Sequence, residues 1–179
     1  MSLPHAILTA LLEKPSSGLE LTRRFDRSIG YFWSATHQQI YRELGKLEKA
    51  GLIRALDGEG PTRGQKKEYE VLPSGREELE RWVGVREDPR APRDPLLLRL
   101  RATGVVGVGG DMVDELRRHR ALHRERLAEY REFERRDAAR GHGTERDRVH
   151  RLVLQGGIEL ELFWLTWLDR ALADLEGAG

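Results

Sequence analysis

The sequence predicts a mainly α-helical chain with one small β-hairpin, and three observations lead to this fold class. Of the 179 residues, 39% are hydrophobic and 34% are charged, a balance that suits amphipathic helices around a modest core. Apolar residues recur at helical spacing through most of the chain and alternate with polar residues in one short stretch. A proline-rich segment separates two parts of similar length. We therefore expect helical domains at residues 1–84 and 96–179, joined by a linker at residues 85–95.

The composition restricts the classes of protein to which the chain can belong. It has no cysteine, which excludes disulfides, thiolate metal sites and cysteine nucleophiles. No apolar segment has the length of a membrane span or the pattern of a signal peptide, so we expect a cytoplasmic protein with no membrane contact. The net charge is +1, and basic and acidic residues are nearly balanced in both domains. Any contact with nucleic acid must therefore come from a local patch.

Apolar spacing and a capping motif predict the first two helices. Residues Leu3–Glu13 contain an apolar stripe at helical spacing. Ser17 and Glu20 then form the pattern of a capping box, which marks the start of a second helix. Phe25 is expected on the inner face of that helix, and Gly30 at its end.

The third helix is predicted to have two chemically different faces. Ser34 or Thr36 should cap its start, and Gly51 should follow its end, because glycine readily adopts the left-handed conformation needed there. At about 100° per residue, the inner face contains three apolar side chains: Ile40, Leu44 and Leu47. The outer face contains Gln38, Arg42, Gly45 and Lys49, with Ser34 and Tyr41 on one shoulder.

A hairpin and a fourth helix complete the first domain. The segments at residues 53–56 and 66–72 flank a polar tip, and Tyr69 and Val71 alternate with charged residues as in a half-buried strand. A fourth helix should begin at Pro73. Its inward-facing residues are predicted to be Leu79, Trp82 and Val83. This order of elements is typical of a winged helix-turn-helix with a two-stranded wing, and a three-helix domain with an incidental hairpin is the alternative.

The outer face of the third helix has the chemistry needed to read a DNA groove. Gln38 can pair bidentately with adenine, and Arg42 with guanine or a phosphate. Gly45 costs the helix about 1 kcal/mol relative to alanine, but it would permit close approach of a phosphate backbone. The hairpin tip adds three cations that could contact phosphates or the minor groove: Arg63, Lys66 and Lys67. An ordinary solvated helix face and turn are the simpler alternatives.

The second domain is predicted to contain one short helix, a glycine-rich loop and two long helices. The short helix begins at residue 96, and the loop covers residues 103–111. A Gly-x-Gly pattern within this loop lacks the preceding strand of a dinucleotide site. The long helices should run from Asp111 to Ala139 and from Thr144 to Glu176.

The last helix is apolar around much of its circumference. One stripe has the four-and-three spacing of coiled coils: Val149, Val153, Gly156, Leu160, Phe163, Trp167 and Ala171. A second apolar flank exceeds what the preceding helix can cover: Ile158, Leu162 and Leu165. We therefore expect a homodimer with contacts at Val149, Val153, Leu160, Phe163, Trp164 and Trp167. Burial of the helix within one chain is the alternative, and the aromatic residues could instead stack on a flat effector.

We expect neither an enzyme nor a metal or cofactor site. His119 and His123 lie four residues apart, one turn after Glu115, a spacing that can bind metal. The surroundings are rich in arginine, however, and no further ligand is evident. No nucleophile elbow, phosphate loop or pair of buried carboxylates stands out.

Two stretches, "IYRELGKLEKAGLI" and "RGQKKEYEVLPSGREEL", resemble the PadR family of bacterial transcriptional regulators. The matching residues are Tyr41, Leu44, Leu47, Glu48, Gly51, Leu52, Ile53, Tyr69, Leu72 and Gly75. The resemblance is close over residues 1–84. It is looser beyond, where "DPLLLRLRA" and "WLTWLDRALADLE" are similar to the carboxyl-terminal domain of longer family members.

The resemblance implies a homodimer that binds a pseudo-palindromic operator in double-stranded DNA, usually as a repressor. It also implies that a small aromatic effector binds near the carboxyl-terminal helices and releases the DNA. A phosphate-contacting tyrosine would correspond to Tyr41, and basic wing residues to Lys66 and Lys67. Gln65 and Glu68 depart from the family's basic wing, so we expect weaker contacts there. The alternative is a winged-helix module that binds a protein partner instead of DNA.

Overall fold

The computed structural model describes residues 3–25, 35–56, 67–89, 91, 93–107, 110–140 and 143–177. The chain divides into two compact units, Met1–Pro89 and Arg90–Gly179, and the division falls within residues 85–95. Each unit has its own apolar core. None of the helices in the described ranges has both the length and the apolar character required to cross a membrane.

The first unit follows the predicted order of elements, with one added strand. Its helices are α1 (Leu3–Glu13), α2 (Gly18–Arg24), α3 (His37–Lys49) and α4 (Pro73–Val83). Its strands are β1 (Ser16–Ser17), β2 (Ile53–Leu56) and β3 (Glu68–Val71). They form an antiparallel sheet in the order β1-β3-β2. The sheet is thus three-stranded where a two-stranded wing was expected, because a strand of two residues is too short to show alternation in sequence.

The apolar stripes of α1, α2 and α3 meet in the core of the first unit, as their spacing predicts. Its buried residues are Ile7, Leu8, Ala10, Leu11, Leu21, Phe25, Ile40, Leu44, Leu47 and Ile53. Full burial of a large aliphatic or aromatic side chain contributes about 1.5 to 3 kcal/mol. The inner face of α3 is therefore firmly fixed to α1 and α2.

Capping boxes fix the starts of α2 and α3. The Ser17 hydroxyl accepts a hydrogen bond from the Glu20 amide, and the Glu20 carboxylate accepts one from the Ser17 amide. Thr36 and Gln39 form the same reciprocal pair at α3, which therefore begins at the later of the two predicted positions. Gly51 follows α3 with a φ of 68°, the left-handed conformation that was predicted. The predicted end of the second helix lies outside the described residues.

Helix α4 differs from the prediction on its inner face. Leu79 packs against the core, but Val83 is 71% exposed, so its predicted burial was wrong. Trp82 lies at the edge of the unit and stacks on His5 of α1, with ring centroids 4.5 Å apart. His5 Nε2 also lies 3.1 Å from Glu78 Oε1. Helix α4 is thus attached to α1 partly through polar and stacking contacts, which hydrophobic spacing does not reveal.

Gly75, in the first turn of α4, leaves no room for a side chain. An added Cβ would lie 2.2 Å from the Leu52 carbonyl oxygen and 2.8 Å from Val71 Cγ1. That carbonyl already accepts a hydrogen bond from the Leu72 amide. We predict that Gly75→Ala lowers the free energy of unfolding by about 1 to 3 kcal/mol, measured by urea denaturation. Gly104→Ala is the matched control because its Cβ would meet nothing within 4 Å, and an equal loss there would contradict the steric explanation.

The second unit contains α5 (Pro95–Val106), α6 (Gly110–Arg140) and α7 (Glu145–Glu176). The Asp94 carboxylate caps α5 by accepting hydrogen bonds from the amides of Leu96 and Leu97. Helix α5 continues through residues 103–106, so the predicted loop at residues 103–111 was too long. Gly104 lies within this last part of α5. A single glycine in a helix costs about 1 kcal/mol, which the hydrogen bonds of the adjoining turns offset. Helix α5 ends at Gly107, which has a φ of 98°.

Helices α6 and α7 pack along each other in opposite directions. Arg117 near the start of α6 bonds Glu176 at the end of α7, whereas Tyr130 further along α6 packs on Gly157. A cluster at one end includes α5: Leu96, Met112, Leu116, Leu168 and Leu172. This cluster therefore joins the three helices at that end of the unit.

Helix α7 has two apolar faces, and one of them is buried within the unit. Of the predicted flank, Ile158 lies on this buried face, whereas Leu162 is 38% exposed. The residues buried against the rest of the unit are Leu154, Ile158, Glu161, Leu168 and Leu172. Of the predicted dimer contacts, four remain between 42% and 56% exposed: Val149, Val153, Leu160 and Phe163. Trp167 is partly buried against the cluster that includes α5. We call the exposed side, formed by those four residues with Leu152 and Gly156, the open face of α7.

Candidate nucleic-acid interface

Helix α3 presents a polar outer face on a fixed support. Its inner residues Ile40, Leu44 and Leu47 are at most 3% exposed, whereas Gln38, Arg42 and Lys49 are exposed. The amide, guanidinium and ammonium groups therefore extend from one helix into solvent. Gly45 lies among them, and a Cβ there would meet nothing within 4 Å. Packing among the described residues does not explain why this position is glycine.

Two cations on the outer face of α3 have no ion-pair partner within the described part of the chain: Arg42 and Lys49. By contrast, Lys46 Nζ lies 2.9 Å from Glu43 Oε2 on the same helix. Unpaired cations on one exposed face attract a polyanion, and a paired cation contributes less to that attraction. The local charge of this face is therefore positive although the chain is nearly neutral.

Lys67, at the base of the wing, is held against α3. Its ammonium group lies 2.9 Å from Glu48 Oε1 and 5.2 Å from the centroid of the Tyr69 ring. The hydrogen bond to Glu48 raises the pKa of Lys67 above its ordinary value. Part of its charge is thus balanced within the chain. The other predicted wing contacts, Arg63 and Lys66, and the predicted shoulder residue Ser34 lie outside the described residues.

Tyr41, on the shoulder of α3, lies against the first residue of α2. A Cβ on Gly18 would lie 2.4 Å from Tyr41 Cε1 and 2.9 Å from its Cζ. The ring is nevertheless 51% exposed. One side of Tyr41 is therefore packed on backbone while the other is open to solvent. Sequence analysis missed Gly18, because a contact between residues far apart in the chain produces no local pattern.

The wing is attached to α2 through a shared residue. Ser17 pairs with Glu68 in the sheet, and the same residue caps α2. Across the wing, Arg54 of β2 forms an ion pair with Glu70 of β3. The base of the wing and the start of α2 are thus positioned together, on the same unit as the outer face of α3.

Each histidine of α6 lies beside a glutamate, and His119 Nε2 is 3.4 Å from Glu115 Oε1. Glu115 accepts hydrogen bonds from Arg118 and Arg99, which lower its pKa to about 2 and keep it charged above that pH. His123 Nδ1 lies 2.5 Å from Glu161 Oε2 on α7. Within the described ranges, no three histidine or acidic side chains are grouped to hold a metal ion.

Trp164 is the centre of an aromatic cluster on α7. His123 stacks on its ring at 5.5 Å with an interplanar angle of 15°. Phe163 and Trp167 approach edge-on, with centroids 5.5 Å and 5.7 Å from that of Trp164. One face of the indole is therefore already occupied by His123, which limits how a flat ligand could stack there.

Comparison with protein families divides the chain in the same way as its structure. Residues 7–81 match the family described as transcriptional regulator PadR-like. Residues 92–176 match the family described as virulence activator alpha C-term. The two matches cover the winged-helix unit and the unit formed by α5, α6 and α7.

Three bacterial proteins are similar over nearly their full length. A probable transcriptional regulator of Mycobacterium tuberculosis is 41% identical, covering 98% of both chains. The negative transcriptional regulator PadR of Bacillus subtilis is 30% identical over 97% of both chains. Its structure with operator DNA has a TM-score of 0.80 at 28% identity, covering 97% of this chain and 98% of that one. The virulence activator AphA of Vibrio cholerae has a TM-score of 0.78 at 30% identity, covering 99% and 100%.

Proposed function

Because the chain belongs to the PadR-like family of transcriptional regulators, we propose that it binds a pseudo-palindromic operator as a homodimer and represses transcription. The PadR protein of B. subtilis, which is named a negative regulator, has been solved with operator DNA. Repression is also the simpler mechanism, since a bound dimer can block a promoter without contacting the polymerase. Such a function would be carried out in the cytoplasm, where bacterial DNA lies.

The observation that carries this proposal is the outer face of α3. Gln38 and Arg42 are exposed on a helix whose opposite side lies in the core, so the helix can enter a major groove without loss of packing. Gln38 would pair with adenine and Arg42 with guanine. Tyr41 and Lys49 would contact phosphates on either side, which positions the helix without specifying sequence. Gly45 would allow the backbone of α3 to approach the DNA closely.

The wing would make supporting contacts. Arg63 and Lys66 are the proposed cations at its tip, and Lys67 would contribute less because Glu48 already balances its charge. We propose residues 1–84 as the DNA-binding domain, residues 85–95 as the linker and residues 96–179 as the dimerisation domain. Two winged helices would then reach the two halves of one operator.

The open face of α7 supports the proposed dimer. Its exposed apolar residues lie on the side away from α6, and within one chain they would remain in contact with water. A two-fold dimer requires a surface that matches itself. Gly156 lies within this face, and a Cβ there would meet nothing within 4 Å in this chain. A glycine at that place would let a second copy of α7 approach closely.

We also propose that a small aromatic effector binds the dimerisation domain and releases the DNA. The B. subtilis PadR protein has been solved with p-coumaric acid, a flat aromatic acid. Phe163, Trp164 and Trp167 are the aromatic residues that such a ligand would meet. Quenching of tryptophan fluorescence by aromatic acids, with parallel loss of operator binding, would identify an effector.

The first test is a binding titration across a salt series. A labelled duplex from upstream of the protein's own gene is compared with a scrambled duplex of equal length. We expect tighter binding to the native duplex and an affinity that falls steeply as salt rises. Weak and equal binding to both, followed by failure to select any fragment from the genome, would favour a protein-interaction module.

Two substitutions separate base contacts from phosphate contacts. Arg42→Ala should weaken operator binding by about 1 to 3 kcal/mol and reduce the preference over scrambled DNA, because it removes a base contact. Lys66→Ala should weaken binding to both duplexes alike, and the salt dependence should correspond to about one fewer counterion released on binding. Lys46→Ala is the control on α3, since Lys46 is paired with Glu43. Equal losses on both duplexes for Arg42→Ala would contradict its role in reading sequence.

A further inference from the structure

Gly18 is a glycine that its own backbone conformation does not require. It is the buried first residue of α2, following the cap Ser17. Glycines with a positive φ, within the described residues, are Gly51 and Gly107. The backbone at Gly18 would therefore accept alanine, which is also the better helix former. The reason for glycine must lie in what surrounds this position.

The surroundings of Gly18 contain one side chain that occupies the missing volume. A Cβ at this position would lie 2.4 Å, 2.9 Å and 3.1 Å from Cε1, Cζ and Cδ1 of Tyr41. The first two distances are too short for two non-bonded carbon atoms. One edge of the ring therefore fills the space that a side chain at position 18 would need. Alanine at position 18 would displace the ring.

The displaced group would be a surface group and not part of the core. Tyr41 is 51% exposed and lies outside the buried cluster of the first unit. It also lies next to Arg42, on the shoulder of the outer face of α3. A contact that holds a half-exposed ring adds little to the core, but it fixes where the phenol is found before any ligand arrives. Such preorganisation reduces the entropy lost on binding.

From these contacts we propose that Gly18 is a positioning residue for DNA binding: its missing side chain holds the Tyr41 phenol in place to donate a hydrogen bond to a phosphate. The inference rests on the proposed function. A phenol hydroxyl is a suitable donor to a phosphate oxygen. Gly18 itself would not need to touch the DNA. Its contribution would pass through the position of the Tyr41 ring.

The test is a double-mutant cycle on Gly18 and Tyr41, with DNA affinity and folding stability both measured. Gly18→Ala should weaken binding to operator and scrambled duplexes alike by roughly tenfold, the usual effect of losing a hydrogen bond to a charged group. Its salt dependence should stay that of the wild type, because a neutral phenol releases no counterion from the DNA. Tyr41→Ala and Tyr41→Phe should lose a similar amount. The double variant Gly18→Ala with Tyr41→Ala should bind no more weakly than Tyr41→Ala alone.

Folding measurements separate positioning from damage to the fold. Because the ring can swing into solvent, the unfolding midpoint of Gly18→Ala in urea should stay close to that of the wild type. Gly104→Ala, in the second unit, should leave DNA binding unchanged. If Gly18→Ala weakens binding as much in the Tyr41→Ala background as in the wild type, Gly18 does not act through Tyr41 and the inference is overturned.

The inference and the proposed function can fail separately. Wild-type protein that prefers no DNA sequence at any salt concentration would refute the proposed function and, with it, the phosphate contact. If the wild type binds its operator and Gly18→Ala binds it equally well, the function stands and the positioning role is refuted.

Discussion

Phe163→Glu should convert the protein into monomers and reduce its affinity for a full operator by about 100-fold or more, the usual gain from linking two binding modules. Phe163 lies on the open face of α7 and is 56% exposed in the single chain. In a two-fold dimer the substitution would bring two carboxylates into an apolar contact region, where desolvation and mutual repulsion both oppose association. Binding to an isolated half-site should hardly change, because the winged helix is untouched.

Sedimentation measures the oligomeric state, and titrations with the full operator and with a half-site measure the change in DNA affinity. Leu162→Glu is a matched control, since Leu162 is the neighbouring exposed leucine but projects from a different side of α7. The control should remain a dimer. If both variants dissociate, or if Phe163→Glu stays dimeric, the open face is not the dimer contact.

His123→Phe should lower the free energy of unfolding by about 3 kcal/mol, the upper end of the range for leaving a buried hydrogen-bonding group without its partner. Glu161 is 3% exposed and lies between α6 and α7. His123 is its close partner at 2.5 Å, whereas Arg126 lies at 3.5 Å and is half exposed. Phenylalanine can keep the stacking on Trp164 but offers no donor, so the Glu161 carboxylate would be left buried with one distant cation.

Removal of both partners should restore most of the lost stability. In the double variant His123→Phe with Glu161→Leu, no charge remains buried, and apolar replacement of a buried pair is often neutral or stabilising. Urea unfolding of the single and double variants measures this recovery. A deficit that persists in the double variant would mean that His123 acts through packing.

The sequence was sufficient to predict features that depend on neighbouring residues. The stripes of α1 and α3, the capping box at Ser17, the Thr36 alternative for the cap of α3 and the left-handed Gly51 follow from spacing and residue type, and the structure confirms them. The outer face of α3 could be predicted for the same reason, since a fixed angle per residue places Gln38 and Arg42 opposite the core. Family resemblance then identified the class of regulator.

Features that depend on residues far apart in the chain could not be predicted. Examples are the ring of Tyr41 on Gly18, the stacking of Trp82 on His5, and the addition of β1 to the sheet. Each depends on how two elements pack against each other, and no repeat or motif in the sequence indicates such a contact. The same limit explains the error at Val83, whose spacing suits a buried face but which no other described residue covers.

Ser17 limits how the length of the chain can vary between β1 and α2. One residue belongs both to the sheet, opposite Glu68, and to the cap of α2. Insertion or deletion beside it would shift the strand register and the helix start together, so the length of this junction should be nearly fixed.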